Sequence, residues 1–261
     1  MSSQAREKLF LKGVSETRYG EYALESLGGT AAGALCVGSQ PGSISLAAKG
    51  NPDFPNEDAL LVIREGALTL FAVADSHFGV EASHESLARI NRFSNPLPRN
   101  LEDLYGLLDR IPFEVPGIPD RSSTTLLVGV HDSDTHRGFG VSYGDSSLWI
   151  LDVDGHVGIV NELNVHYVTP YSPVSFSMEN RRPFEYHVAI QGLVCAFTDG
   201  VNECHYGRPE TSIGAEHLRR LMTPANLDPT QFVRSLMELA LTGVDGNPGG
   251  EDNIAIVAFI A

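Results

Sequence analysis

Three stretches of the chain read as strands with little polar interruption. Leu68 to Ala74 is apolar apart from Thr69, Val188 to Phe197 is largely so, and Ile254 to Ile260 is wholly so. Runs of that length and character fit strands covered on both faces. Each meets polar residues abruptly: the first ends in Asp75, Ser76 and His77, the second in Thr198, Asp199 and Gly200, and the third follows Glu251, Asp252 and Asn253. Upstream, Ser43 to Ala48 alternates in strand fashion. Gly50, Pro52, Asp53 and Pro55 then enforce a turn, and a further strand covers Ala59 to Ile63.

Helical spacing predicts elements over Glu81 to Phe93, Leu101 to Ile111, Ile213 to Met222 and Thr230 to Leu241. Thr124 to Val130, Gly138 to Tyr143 and Ser147 to Val153 read as three successive strands. Their short links, HDSDTHR and Gly144-Asp145-Ser146, imply antiparallel hairpins. Residues 1–39, rich in small residues around Gly28 to Gly33, read as an irregular N-terminal extension. The stretch from His156 to His187 reads as a long surface flap. Strands, two helices, strands, two helices and a strand, with helices segregated from short-linked strands, predict an α+β layered domain over residues 40–261.

Composition narrows the function. At 261 residues and 42% hydrophobic content the chain can bury the core of one large domain. Its net charge of −15 argues against nucleic acid or an anionic membrane as partner. There is no apolar run of bilayer length and no signal-peptide pattern. Three cysteines, Cys36, Cys195 and Cys204, lack metal-type spacing and point to reduced thiols and a cytoplasmic setting. The sequence carries no indication of oligomeric state.

The chemistry lies in the carboxylates. Asp75, Asp199 and Asp252 each mark the rim of a core strand, and Glu57 and Asp58 precede another. If those ends meet, four or five carboxylates converge, and like charges brought together out of water require cations. Oxygen donors alone suit magnesium or manganese rather than zinc. His84-Glu85 does not complete a zinc helix, because Ala88 stands where the second histidine belongs, and no Gly-x-Ser-x-Gly elbow marks a serine hydrolase.

Six segments in order, NEDALLV, LFAVADSHFG, SSTTLLVGV, VSYGDSSLWIL, LVCAFTDGVNE and GGEDNIAIVAFI, resemble the motifs of the metal-dependent protein phosphatases of the protein phosphatase 2C type, over residues 43–261. The resemblance implies an antiparallel β-sandwich flanked by helices in four αββα layers. It also implies a centre of two magnesium or manganese ions that supplies a metal-bridged hydroxide, and a phosphorylated protein as substrate. By motif position Asp75 would bridge both ions and the Ser76 carbonyl would ligate one. Asp199 and Asp252 would hold the other, Glu57 and Asp58 would act directly or through water, and Asp145 would serve a third, weaker ion. His77 would protonate the leaving serine or threonine oxygen.

The chain departs from the family's pattern twice. Asp53 stands where the family carries a phosphate-binding arginine, so Lys49, Arg121, Arg181 or Arg182 would have to supply that charge. Ser76 and Phe78 replace glycines around His77. The arginine is also often missing in the branch that acts on small regulators of transcription. The alternative to an active phosphatase is a pseudophosphatase serving as a protein-binding module, and the retained acids favour the enzyme.

Overall fold

The computed structural model describes residues 5–39, 53–113, 122–205, 212–222 and 227–261. Thirteen strands occur among them: β1 (Arg6–Lys12), β2 (Tyr22–Leu27), β3 (Ala31–Cys36), β4 (Asp58–Glu65), β5 (Leu68–His77), β6 (Ser123–Thr124), β7 (Leu126–Asp132), β8 (Arg137–Tyr143), β9 (Ser147–Leu151), β10 (Val157–Ile159), β11 (Arg182–His187), β12 (Leu193–Phe197) and β13 (Ile254–Ile260). The helices are α1 (Glu81–Phe93), α2 (Leu101–Leu108), the single turn α3 (Asp199–Asn202), α4 (Ala215–Leu221) and α5 (Pro229–Thr242). One sheet runs β1-β4-β5-β7-β8-β11, with β6 added to β5. The other runs β10-β9-β12-β13-β3-β2. Every ladder is antiparallel.

Alternation along the central strands builds the layers. In β4, Leu60 and Val62 face the other sheet while Ala59, Leu61 and Ile63 face helices. In β5, Phe71 and Val73 point inward, and Leu70, Ala72 and Ala74 pack under Leu87 and Ile90 of α1. In β13, Ala255, Val257 and Phe259 join the sandwich interior, whereas Ile254, Ile256 and Ala258 lie beneath Phe232, Leu236 and Met237 of α5. The result is an α+β fold of four layers, helix, sheet, sheet, helix. It explains why these strands read as continuous apolar runs, since neither face meets water. Among the described residues no helix is long and apolar enough to cross a membrane.

Four readings of the sequence are corrected. Residues 1–39 are not irregular: β1 edges the first sheet, and β2 and β3 form a hairpin at the edge of the second. The small residues of β3 reflect close packing rather than flexibility, because a Cβ on Gly33 would lie 2.8 Å from Leu60 Cδ1 and 3.1 Å from Leu9 Cδ2. The Gly144-Asp145-Ser146 link does not close a hairpin. It carries the chain from β8 in one sheet to β9 in the other, turning at Gly144 with φ 86°, where a side chain would strike Thr125. The flap from 156 to 187 begins and ends in strands, β10 and β11. Arg181 clamps its middle, donating from Nε to Phe176 O at 3.2 Å and pairing with Asp109. Arg181 is buried in that role and Arg182 donates to Glu179 O at 2.8 Å, so both are committed within the flap. Finally, the β12 strand starts at Leu193 rather than Val188, after a turn closed from Gly192 N to Ala189 O. The strand expected at 43–48, Lys49 and Arg121 lie outside the described residues.

Candidate active site

The carboxylates gather where strand ends from the two sheets meet. Antiparallel pairing of β4 and β5 sets Asp58 directly opposite Asp75. From the second sheet, Thr198 at the end of β12 donates its hydroxyl to Asp58 Oδ2 at 2.7 Å and accepts Ala255 N–H at 2.9 Å, tying β4 to β12 and β13 through one side chain. Asn253 makes the second tie. Its Oδ1 accepts Glu57 N–H at 2.8 Å, and its amide donates to Val37 O at 3.0 Å and Pro55 O at 2.9 Å. Asp252 Oδ1 in turn accepts Asn253 N–H at 2.7 Å. Gly200 sits against the Asn253 carbonyl where any Cβ would collide, so the first turn of α3 brings Asp199 up to the Asp252 segment.

Asp75 is held by its backbone. Its N–H donates to Thr125 Oγ1 at 3.0 Å, and its carbonyl accepts from Thr125 N at 2.8 Å and Thr124 Oγ1 at 2.9 Å. Thr125 Oγ1 also shares a hydrogen bond of 2.8 Å with Ser146 Oγ, which fixes the sheet-crossing turn that presents Asp145. Burial raises the Asp145 carboxyl above its ordinary range and the charge of Asp75 adds to that, against the opposing effects of His77 and the Tyr167 hydroxyl at 3.3 Å. Asp145 Oδ1 is buried without a hydrogen-bond partner. Tyr167 is pushed upward by burial and then by Asp145, Asp199 and Asp75, so carboxylates from three elements act on one hydroxyl. Glu203 is raised likewise, by burial and then by Asp145 and Asp252.

His77 closes β5 at the rim, with the Tyr167 ring edge-on at 5.0 Å. Ser76 is buried and its hydroxyl accepts Ser83 N–H at 2.8 Å in the first turn of α1, a capping task that glycine could not perform. The positive φ falls on Phe78 (65°) instead of Ser76. Behind the site, Ser83 Oγ donates to Glu57 O at 2.5 Å. The neutral ring of His84 accepts Gly13 N–H at 3.2 Å, its pKa lowered to about 4 by burial. His84 is therefore a buried anchor of the helix. Asp53 lies exposed in the turn before β4.

Glu57, Asp58, Asp75, Ser76, His77, Asp145, Asp199 and Asp252 thus share one end of the sandwich. Among the described residues no three His, Cys, Asp or Glu side chains stand as a ready-made metal ligand set. The donors are oxygens, and the orphaned Oδ1 of Asp145 and its raised carboxyl fit a site completed by a hard cation. Thr198, Asn253, Tyr167 and Glu203 were not singled out by sequence reasoning. The first two flank Asp199 and Asp252 in the quoted motifs, the one signal that could have found them.

No protein-family model matches the chain, and no curated protein matches it in sequence. Solved structures do. The chain is similar to a PPM Ser-Thr phosphatase, MsPP from Mycobacterium smegmatis, in complex with cacodylate. The match has a TM-score of 0.58 and 20% identity, over 88% of this chain and 97% of that one. It is similar to the catalytic domain of the serine threonine protein phosphatase PstP in complex with two manganese ions, with a TM-score of 0.63 and 19% identity, over 92% and 100% of the two chains. It is also similar to RsbX in complex with magnesium, with a TM-score of 0.56 and 12% identity, over 92% and 100%. The chain has the fold these proteins share.

Proposed function

We propose that the chain is a divergent PPM-type phosphatase that hydrolyses phosphoserine and phosphothreonine in proteins with magnesium or manganese. One observation carries the reading. Asp58 and Asp75 of one sheet are tied through Thr198 and Asn253 to the ends that bear Asp199 and Asp252 of the other. Asp75, Asp199, Asp252 and the Ser76 carbonyl would hold two cations, with Glu57 and Asp58 beside them and Asp145 available to a third. When bound, such cations supply an acidified water and offset charge on the phosphoryl oxygens.

The chain's own residues do the rest. His77, at the mouth of the site, donates a proton to the departing seryl or threonyl oxygen, and the Tyr167 ring holds its imidazole in place. Thr125 and Ser146 fix the backbone on either side of Asp75 and Asp145. With Arg181 and Arg182 committed to the flap, Lys49 and Arg121 are the remaining candidates for the phosphate-binding charge. Three buried, unbridged cysteines support a reducing, cytoplasmic setting.

The test is hydrolysis of para-nitrophenyl phosphate with and without manganese, by the wild type and Asp75→Asn. Manganese-dependent turnover lost in the variant supports the enzyme. Absent turnover with manganese present would contradict it and leave the pseudophosphatase.

A further inference from the structure

Phe78 combines two properties that rarely coincide. It is not glycine yet has φ 65°, and the residue is 66% exposed. A bulky residue in the left-handed region is strained, and such strain persists where surroundings or function demand it. Packing within the chain offsets little of that strain, because most of the residue is exposed and the aromatic ring it meets, His77, lies edge-on at a centroid separation of 6.5 Å. Next to it the chain does use glycine where it must. Gly79 has φ 131°, and a Cβ there would strike the Glu81 carboxylate.

The position explains the exposure. Phe78 follows His77 directly, at the mouth of the carboxylate end. Across His77 stands Tyr167, bonded to Asp145. Two residues before Tyr167 in the chain is Val165, 82% exposed, on a segment pinned by Asn164, which donates its N–H to Gly144 O at 2.9 Å and accepts Gly144 N–H at 3.0 Å. A polypeptide with its phosphorylated residue over the carboxylates must lead its neighbouring residues across this apolar rim, and a small phosphate ester does not extend that far.

We infer that Phe78 is a specificity-determining residue, an exposed aromatic platform that packs on an apolar side chain beside the substrate's phosphoserine, so that the enzyme selects phosphopeptides with apolar neighbours. The inference rests on the phosphatase reading above. Phe78 touches the residues that flank the reacting group and takes no part in the proton transfer of His77.

The experiment compares two short phosphoserine peptides in manganese, one with leucine on both sides of the phosphoserine and one with serine, using the wild type, F78A, F78G and F78L. The wild type is expected to show a kcat/KM ratio of about ten in favour of the leucine peptide, the worth of covering part of a leucine side chain. That ratio falls toward one in F78A and F78G and is largely kept in F78L. F78G relaxes the backbone, so its melting temperature does not fall. A ratio unchanged in F78A and F78G would overturn the inference, as would a ratio lost in F78G but kept in F78A, which would assign the effect to the backbone. Should the wild type turn over neither peptide nor para-nitrophenyl phosphate, the catalytic reading fails while Phe78 is still decided by fluorescence anisotropy of the same peptides. Preferential binding of the leucine peptide that F78A abolishes sustains the platform, and equal binding by both proteins overturns it.

Discussion

Replacing Thr198 by valine removes one hydroxyl and, with it, one of the two side-chain ties between the sheets at the site. Valine keeps the shape and loses two buried hydrogen bonds, to Asp58 Oδ2 at 2.7 Å and from Ala255 N–H at 2.9 Å. The first involves a carboxylate and is worth about 1.5–3 kcal/mol, and stranding the buried amide costs about 1–3 kcal/mol, so the substitution should cost roughly 2.5–6 kcal/mol. With an unfolding entropy near 2.1 cal/mol/K per residue, that converts to a fall in Tm of roughly 5–11 °C for a domain of this size. Thr198→Ser keeps the hydroxyl and should retain most of the stability. The assay is calorimetric melting of the metal-free protein, and Asp58→Asn combined with Thr198→Val should cost less than the two singly, because the partners are coupled. If Thr198→Val melts with the wild type, or no differently from Thr198→Ser, the hydroxyl does not join the sheets and the argument fails.

His77→Ala should lower kcat by about 10²–10⁴ while manganese binding, followed by calorimetry, stays intact; loss of binding would show that His77 supports the metals instead. Gly200→Ala should drive the start of α3 away from the Asn253 carbonyl, weakening manganese affinity and lowering Tm together, and unchanged values of both would refute the close approach. His131 is buried, stacks on Tyr186 at 5.8 Å and has both ring nitrogens without hydrogen-bond partners. Burial lowers its pKa from 6.5 to about 4. Between those values the unfolded chain binds the proton that the folded chain refuses, so this contribution is present above about pH 6.5 and is lost as pH falls toward 4, by up to about 3 kcal/mol. His131→Phe should therefore raise the urea midpoint at pH 7 and flatten its decline toward pH 4.5; an equally steep decline would contradict this.

How much the sequence disclosed depended on whether a residue's partner was local. The strand from Ile254 to Ile260 and the helix from Glu81 to Phe93 were legible to the residue, because burial on both faces and helical spacing are written into the run itself. The rim positions Asp75, Asp199 and Asp252 were legible for the same reason, as the points where an apolar run stops. Alanine and glycine in β3 misled, since small residues at a crowded contact with Leu9 and Leu60 read like a flexible segment. The Gly144 turn misled because loop length alone does not say whether the next strand stays in the same sheet. Thr198, Asn253 and Tyr167 stayed hidden: each acts on residues distant in sequence, the first two once β4, β12 and β13 lie together and Tyr167 once its segment meets His77 and Asp145.

The central claim is that these carboxylates form a metal centre. Calorimetric titration of manganese into the wild type, Asp75→Asn and Asp199→Asn tests it most directly. Saturable binding by the wild type, abolished or greatly weakened in both variants, is the predicted result. No binding by the wild type, or binding undiminished in both variants, would contradict the account.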